Sequence, residues 1–319
     1  MTSLQVLDID FESVCENQYD VSLFASGYES RCIYVPGLLN PRMIDNPLVF
    51  GFTEEPYSGN RPKNDVFYCE KWGCKPIPLS GDNEQPIYDH LREHTQTQDS
   101  PLHILVDYTS MSRLWYAAVL NWARFAVLGR EVIIDFIYAM GRYEEVKRPM
   151  VIKDMVTIPG CEGRAYRLRE SVAVFGLGFH GLASLCVLDR LEADTVYAFL
   201  ASPGSSQEYV EKTEKTNEDL INNYKTKTLL KLPLASIEAC YRHLAETIAP
   251  HRPDGEITLV PMGPKPQVLA SILIAMRFPE VACLRVSGAP DPLDVTPTGD
   301  IVATRVIVRA ETNICSCPS

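Results

Sequence analysis

Short aliphatic runs, polar turns and helical patterns follow one another along this chain. In the stretch 103–125, the apolar residues 104–106 precede the polar run 107–113, and apolar positions then return with helical spacing from Leu114 to Trp122. A short apolar run bounded by a polar turn is typical of a buried strand, and the later spacing is typical of a helix. The stretch therefore predicts a strand, a loop and a helix in that order.

The same order recurs along the chain. We predict strands at 4–11, 19–25, 48–52, 104–106, 132–139, 151–158, 171–175, 195–201, 257–260, 281–286 and 301–310. Besides the helix after residue 113, helical patterns occupy 82–98, 182–191, 207–227, 234–248 and 267–276. Short buried strands that alternate with helices are typical of parallel sheets, so an α/β fold is predicted.

The chain repeats this arrangement, which predicts two tandem Rossmann-like halves with parallel sheets. Its 319 residues exceed the usual single core, so we predict an N-terminal domain at 1–150 and a C-terminal domain at 151–319. The strand, polar turn and helix at 256–276 correspond to those at 103–125. Each half also has a glycine-containing turn after an early strand, and this match favours an internal duplication.

Four polar turns form the candidate ligand-binding site. They lie at 26–31, 107–113, 176–181 and 261–266, each after a predicted strand. In open parallel sheets, ligands bind beyond the carboxyl ends of the strands, where helix N-termini attract anions. The candidate ligand-binding residues are Ser26, Gly27, Tyr28, Glu29, Arg31, Asp107, Thr109, Ser110, Ser112, Arg113, Gly176, Gly178, His180, Met262, Gly263 and Lys265.

Hydroxyl side chains precede the helix of the first half. Thr109, Ser110 and Ser112 come directly before its predicted start. Serine and threonine at such positions accept hydrogen bonds from the free backbone N–H groups of the first helical turn. We therefore predict that these three residues cap the helix.

Two cations and an aromatic residue are the candidates for direct ligand contacts. Arg113 and Lys265 each follow a polar turn and stand at a helix start, where a cation forms charge-assisted hydrogen bonds with phosphate oxygens. Tyr28 offers a ring for stacking on a base, and Glu29 offers an acceptor for a base edge or a ribose hydroxyl. The alternatives are that both cations are ordinary surface groups and that Glu29 and Arg31 form a surface ion pair.

One of the turns resembles a motif of a known family. The turn 261–266, with the sequence Pro-Met-Gly-Pro-Lys-Pro, lies between a predicted strand and an Ala-containing helix. It resembles the turn of the CRISPR-associated Rossmann-fold (CARF) ligand-sensing family, which commonly carries Gly-Gly-Thr-Lys. Gly263 and Lys265 match that pattern, whereas Pro264 replaces the small hydroxyl residue. The resemblance implies a sensor of nucleotide second messengers in antiviral defence, with paired domains around a shared ligand whose phosphates meet Lys265 and Arg113.

Other motifs give alternative predictions. Gly176, Gly178 and Gly181 have the spacing of the dinucleotide fingerprint Gly-x-Gly-x-x-Gly, which leaves an NAD-dependent enzyme open. His90 to His94 has the His-x-x-Glu-His pattern of a zinc peptidase class, but no ligand from a second helix stands out. The 10 cysteines are scattered without the spacing of zinc-ligand pairs. We therefore predict no metal and no cofactor.

Charge and hydropathy limit the partners. The formal net charge of −11 argues against a protein that wraps duplex nucleic acid, because such proteins need a basic face. No apolar run approaches the roughly 20 residues that cross a bilayer, and the first residues lack the pattern of a signal peptide. We therefore expect a cytoplasmic protein with neither a membrane nor a duplex as partner.

These features predict a protein that binds a nucleotide or other phosphorylated small ligand. The two halves account for the whole sequence, so we expect a protein partner or a homo-oligomer to carry any output. Two alternatives remain. The first alternative is a nucleotide-processing enzyme, which would be a nuclease, another hydrolase or an NAD-dependent enzyme. The second is a protein-interaction component without a small ligand.

Overall fold

Two β-sheets with helices on their faces make up the fold. The computed structural model describes residues 2–54, 58–95, 101–126, 130–142, 144, 149–164, 170–223, 225–288 and 294–310. One sheet has seven strands and the other has six, and most neighbouring strands in both sheets are parallel. The predicted α/β class with two Rossmann-like halves is therefore confirmed.

The first sheet contains the early strands of the chain and one late strand. Its strands are β1 (Thr2–Ile9), β2 (Val21–Ser26), β3 (Pro47–Phe52), β4 (Ile77–Leu79), β5 (Leu102–Asp107), β6 (Val132–Gly141) and β13 (Pro297–Ala310). The helices between them are α1 (Phe11–Glu16), α2 (Tyr34–Leu38), α3 (Arg61–Trp72), α4 (Gln85–His94) and α5 (Arg113–Ala126). Short 3-10 helices at Ser30–Ile33 and Pro41–Met43 flank α2.

The second sheet is built from the rest of the chain. Its strands are β7 (Ile152–Glu162), β8 (Ser171–Gly176), β9 (Thr195–Ala201), β10 (Thr226–Leu232), β11 (Glu256–Pro261) and β12 (Val281–Gly288). The helices are α6 (Gly181–Leu191), α7 (Gln207–Thr216), α8 (Glu218–Asn223), α9 (Ile237–Ile248) and α10 (Lys265–Arg277). No helix in the described ranges combines the length and the apolar character needed to cross a membrane.

Both sheets contain the same five-stranded parallel unit. In the first sheet the strands lie in the order β4-β3-β2-β5-β6, and in the second they lie in the order β10-β9-β8-β11-β12. In each unit, chain order becomes the spatial order 3-2-1-4-5, and an antiparallel strand follows the fifth position. The repeat in topology agrees with the predicted duplication, while descent from one ancestral unit stays a prediction.

The late strand β13 joins the two ends of the described chain. It pairs antiparallel with β1 on one side and with β6 on the other. It falls inside the predicted C-terminal domain 151–319 and yet belongs to the first sheet. The division at 150/151 stays a prediction. That prediction did not include a late strand that pairs with the strands of the first sheet.

The two halves share a hydrophobic core. Every residue of α10 from Pro266 to Met276 is buried, and this helix lies against α5, α9 and β7. One continuous cluster of buried residues includes Val106 of the first sheet and Val174 of the second. The strand β1 also reaches across, because Asp8 accepts hydrogen bonds from the first backbone N–H groups of α9, at Ile237 (3.0 Å) and Glu238 (3.1 Å).

Several elements differ from the sequence prediction. Between the predicted strand 48–52 and the predicted helix 82–98 the sequence predicted no helix, but α3 begins at Arg61 with a proline in its first turn, where proline costs no hydrogen bond. The strand β4 is three residues long and contains Pro78, as an edge position allows. The predicted helical region 207–227 ends at Asn223, and its last residues belong to the edge strand β10.

Candidate functional site

The four predicted turns lie at the switch points of the two sheets. β2 pairs with β5 and β8 pairs with β11, and at each pair the strand order reverses. The turns that follow paired strands are in contact. A Cβ atom added at Gly27 would lie 3.3 Å from Cβ of Ser110, and one added at Gly178 would lie 2.4 Å from the carbonyl oxygen of Met262. The four predicted turns therefore lie together in pairs, one pair in each half.

The two crevices face each other across the boundary between the halves. Lys265, the first residue of α10, donates hydrogen bonds from Nζ to the carbonyl oxygens of Thr109 (2.7 Å) and Tyr108 (3.4 Å). Arg113, the first residue of α5, lines a cavity together with Gly178 and Gly263 of the second half. Each helix-start cation therefore lies against the turns of the opposite half.

The cavity between the halves has a volume of about 240 Å³, and we call it the inter-half cavity. Among its walls, Phe179 and Tyr209 form an edge-to-face pair with ring centroids 4.6 Å apart. Its lining residues are Arg113, Met150, Gly178, Phe179, His180, Tyr209, Met262, Gly263, Pro264 and Val286. Five of the predicted ligand-binding residues therefore meet in one place: Arg113, Gly178, His180, Met262 and Gly263.

A second cavity of about 300 Å³ adjoins the first, and we call it the arginine cavity. Its lining residues are Phe52, Gly81, Met111, Ser112, Arg113, Arg285, Val286, Ser287 and Gly288. Arg113 and Val286 line both cavities, so these two residues form the partition between them. The arginine cavity differs from its neighbour in having two guanidinium groups.

Arg113 is a partly buried cation that has no anionic partner among the residues that the structure describes. Within the described ranges its guanidinium makes no hydrogen bond and no ion pair. Burial lowers the pKa of Arg113, and the charge of Arg285 lowers it further. A cation at the N-terminus of a helix also meets the positive end of the helix dipole. All three effects disfavour the charge, and a bound anion would offset each of them.

Lys265 and Asp107 are two ionisable groups that influence each other's pKa at the boundary between the halves. Burial lowers the pKa of Lys265 to about 7, although the carboxylates of Glu29 and Asp107 act in the opposite direction. Burial raises the pKa of Asp107 to about 6, against the effect of the hydrogen bonds from Thr109 and the charge of Lys265. The alternative that Lys265 is an ordinary surface group is therefore wrong, because its ammonium bonds to buried backbone.

The glutamate and arginine of the first turn face inward. Arg31 is 7% exposed, pairs with Glu29, and donates from Nη1 to the hydroxyl of Tyr138 (2.9 Å) and the carbonyl of Ala139 (3.2 Å). Asn64 holds the same turn, because Nδ2 donates to the carbonyl oxygens of Gly27 (2.8 Å) and Glu29 (3.0 Å). The alternative of a surface ion pair is wrong, and the pair instead fixes this turn.

The hydroxyls of the three predicted capping residues before α5 have different surroundings. Ser112 accepts a hydrogen bond from the N–H of Leu114 (3.3 Å), as predicted for a helix cap. Thr109 instead accepts from the N–H of Ala139 in β6 (2.9 Å). The Oγ of Ser110 is buried without a hydrogen-bond partner in the part of the chain that the structure describes. The capping prediction is correct for Ser112 alone, because strand β6 lies close enough to engage Thr109.

The glycines of the turn 176–181 make room for neighbouring chain segments. A Cβ atom added at Gly181 would lie 2.0 Å from the carbonyl oxygen of Thr216, and one added at Gly176 would lie 2.7 Å from Cζ of Phe199. Packing alone therefore accounts for their small size. Gly178 and His180 line the inter-half cavity, whereas Gly176 is the buried last residue of β8. The carbonyl of His180 accepts the N–H of Ser184 (2.9 Å), and His180 is the N-cap residue of α6.

Ser26 and Tyr28 belong to the first crevice. Ser26 is buried and donates from Oγ to Oδ1 of Asp65 (2.5 Å), which ties β2 to α3. The carbonyl of Tyr28 accepts the N–H of Asn60 (2.9 Å). Together with Gly27, Glu29 and Arg31, these residues stabilise the turn, and they lie in the half opposite the turns that line the inter-half cavity.

Among the cavity-lining residues that sequence reasoning missed, three carry aromatic or charged groups that a ligand can use: Phe179, Tyr209 and Arg285. Phe179 lies inside a predicted turn but carries no polar group, and Tyr209 lies in α7, whose sequence is mostly polar. Arg285 lies near the end of β12, the fifth strand of its parallel unit. Its position near the carboxyl end of a predicted strand could have identified Arg285 as a candidate, because ligands bind at that edge of a parallel sheet.

The histidine motif of α4 brings its side chains together. Candidate ligand atoms of His90, Glu93 and His94 lie within 4.8 Å of one another on a partly exposed helix face. Nδ1 of His90 lies 3.6 Å from a carboxylate oxygen of Glu93, so a contact between side chains one helical turn apart explains the proximity. All three groups come from one helix, whereas the peptidase pattern calls for a further ligand from another element.

Comparisons with known proteins give no family for this arrangement. No family model matches the chain. No curated protein sequence matches it either. One similar solved structure is described as "Adenylation, ketoreductase, and pseudo Asub multidomain structure of a keto acid-selecting NRPS module", with 9% identity and a TM-score of 0.20. The similarity covers 81% of this chain and 27% of that chain.

Proposed function

We propose that this chain binds a nucleotide or another phosphorylated small molecule at the boundary between its two halves. The observation that carries the proposal is Arg113, a partly buried cation that lines two cavities and has no anionic partner in the described part of the chain. Phosphate is the group that best fits a guanidinium at a helix N-terminus beside a switch point.

Arg113 and Lys265 have different roles in this proposal. Lys265 already bonds to the backbone of the opposite half, so it holds the halves in place and adds positive potential. Arg113 is the group that meets the ligand. The walls beside it are aromatic and methionine side chains, which suit a base or another flat ring.

The CARF-like resemblance extends the proposal to a cytoplasmic sensor in antiviral defence signalling. In that role the protein would bind its ligand intact and pass the signal to a protein partner or to a second copy of itself. Turnover of the ligand by a nuclease, by another hydrolase or by an NAD-dependent reaction is the alternative. The glycines of 176–181 do not favour NAD specifically, because packing already requires them. An interaction component without a small ligand is the third possibility.

Native mass spectrometry tests the proposal and its alternatives together. The full chain is incubated with linear and cyclic nucleotides and with NAD, and the small-molecule fraction is then analysed. We expect a retained, intact nucleotide, and we expect Arg113→Glu to lose it. The matched control is Arg190→Glu, at an exposed arginine of α6. A converted nucleotide would instead establish an enzyme, and the absence of any retained nucleotide would overturn the proposal.

A further inference from the structure

Two arginines from different halves lie at one cavity. Arg113 begins α5 in the first half, Arg285 lies in β12 of the second half, and both line the arginine cavity. The side chain of Arg285 is only 16% exposed. Two guanidinium groups that share a small, partly buried space repel each other, since the solvent screens them incompletely. An anion between them would turn this repulsion into attraction.

Two carboxylates near this cavity, Glu54 and Asp82, are either engaged elsewhere or exposed to solvent. Glu54 is engaged elsewhere, because its Oε1 accepts from Oγ of Ser80 (2.5 Å) and from the N–H of Gly81 (2.9 Å). Asp82 accepts from Nη2 of Arg285 (2.5 Å), but its own side chain is 72% exposed. An exposed carboxylate is a weak partner that a better-placed anion can displace.

The two adjoining cavities differ in chemistry. The inter-half cavity offers the aromatic pair Phe179 and Tyr209, two methionines and one guanidinium. The arginine cavity offers two guanidinium groups and Ser112, close to the N-terminus of α5. Because Arg113 borders both, a ligand that spans the partition would place a ring on one side and its negative charges on the other.

We propose that the arginine cavity is a subsite for two adjacent phosphates, held between Arg113 and Arg285, and that Asp82 is the anion they displace. The ligand class is a nucleotide with a pyrophosphate group, whose base lies against Phe179 and Tyr209. This assignment rests on the proposed function and adds the number of phosphates, their position and a competing side chain.

Isothermal titration calorimetry with the full chain tests the assignment. The probes are inorganic phosphate, inorganic pyrophosphate, and the 5′-monophosphates and 5′-diphosphates of adenosine, guanosine, cytidine and uridine. We expect at least one diphosphate to bind about tenfold more tightly than its monophosphate, a factor that corresponds to about 1.4 kcal/mol. Pyrophosphate should likewise bind more tightly than phosphate.

Three variants separate the contributions. Arg285→Gln should abolish the preference for the diphosphate and leave monophosphate binding within twofold of wild type. Asp82→Asn should tighten diphosphate binding several-fold, because it removes the competing carboxylate. The side chain of Asp82 is exposed, so we expect this variant to fold. Arg190→Gln is the matched control and should change neither affinity. Circular dichroism checks that each variant is folded.

The outcomes distinguish this assignment from the proposed function. Equal affinities for mono- and diphosphates that depend on Arg113 but not on Arg285 would overturn the two-phosphate subsite and leave the proposed function in place. Unchanged diphosphate binding in Asp82→Asn would overturn the role of Asp82. If none of the probes binds, the two-phosphate subsite is wrong, and the native mass spectrometry with linear and cyclic nucleotides then decides the proposed function on its own.

Discussion

The ammonium of Lys265 lies 2.7 Å from the backbone carbonyl oxygen of Thr109, and these two residues belong to opposite halves. Lys265 begins α10, whose next eleven residues, Pro266 to Met276, are all buried. The most deeply buried helix of the second half is therefore anchored at its first residue on the polar turn of the first half. Movement of one half against the other has to break this contact, so the contact should affect stability in a measurable way.

The charge of Lys265 should make stability depend on pH in the alkaline range. Burial lowers its pKa to about 7, while the ordinary lysine value is 10.5. Between these values the unfolded chain binds a proton that the folded chain has lost, so the free energy of unfolding rises with pH. Wild type should gain stability relative to Lys265→Met between pH 7 and 10, as measured by urea unfolding. A difference that stays constant over this range would contradict the shift.

Asp107 should produce the opposite trend in the acidic range. Burial raises its pKa to about 6, compared with an ordinary value of 3.8. The folded chain therefore holds this proton more tightly, and the resulting stability is present below pH 3.8 and is lost as the pH rises through 6. Urea unfolding of wild type and Asp107→Asn between pH 4 and 7 should show wild type losing stability relative to the variant. Parallel curves for the two proteins would rule out the titration.

Arg113 should be unfavourable for folding in the absence of a ligand. It is partly buried, begins a helix and is repelled by Arg285. Arg113→Gln should therefore raise the free energy of unfolding by about 0.5 kcal/mol in urea, in line with helix-dipole effects. Arg190→Gln is the matched comparison, because Arg190 lies in the last turn of α6 where the dipole favours a cation, and this change should slightly lower stability. A loss of stability in Arg113→Gln would show an unrecognised stabilising contact.

Gly178 should tolerate no side chain. An added Cβ would lie 2.4 Å from the carbonyl oxygen of Met262, so the turns after β8 and β11 would have to separate. We expect Gly178→Ala to lower the free energy of unfolding by about 1–3 kcal/mol, as for other overpacked sites. Gly37→Ala is the control, since it lies in α2 with no neighbouring atom within 4 Å of the added Cβ. Thermal unfolding of both variants measures the contrast, and equal stabilities would contradict the close approach.

The sequence predicted the sheets well because their strands are short aliphatic runs bounded by polar turns. β9 begins and ends as predicted, at Thr195 and Ala201, and the four turns at the switch points were all identified. Gly263 and Arg113, which line the inter-half cavity, were among the candidates because a turn glycine and a helix-start cation have local signals. These signals depend only on residues that are neighbours in the sequence, so they can be recognised without knowledge of the fold.

Residues that depend on distant contacts could not be found in this way. Arg285 belongs to no local sequence motif. It is a candidate ligand contact only because β12 brings it to the cavity that Arg113 of the other half also lines. The inward direction of Arg31 depends on Tyr138 in β6, which lies more than a hundred residues away in the chain. The short, Pro-containing β4 was missed because pairing with β3, rather than any intrinsic preference, makes it a strand.

The position of β13 determines the order in which this protein can be completed. β13 lies between β1 and β6, yet the ribosome makes it after every element of the second half. Until residues 297–310 emerge, β6 has an open edge and β1 has no partner strand in its sheet. An unpaired edge is a site of wrong association. The first sheet therefore cannot be completed until the second half has been synthesised. A fragment made of 1–150 alone would keep the edge of β6 exposed.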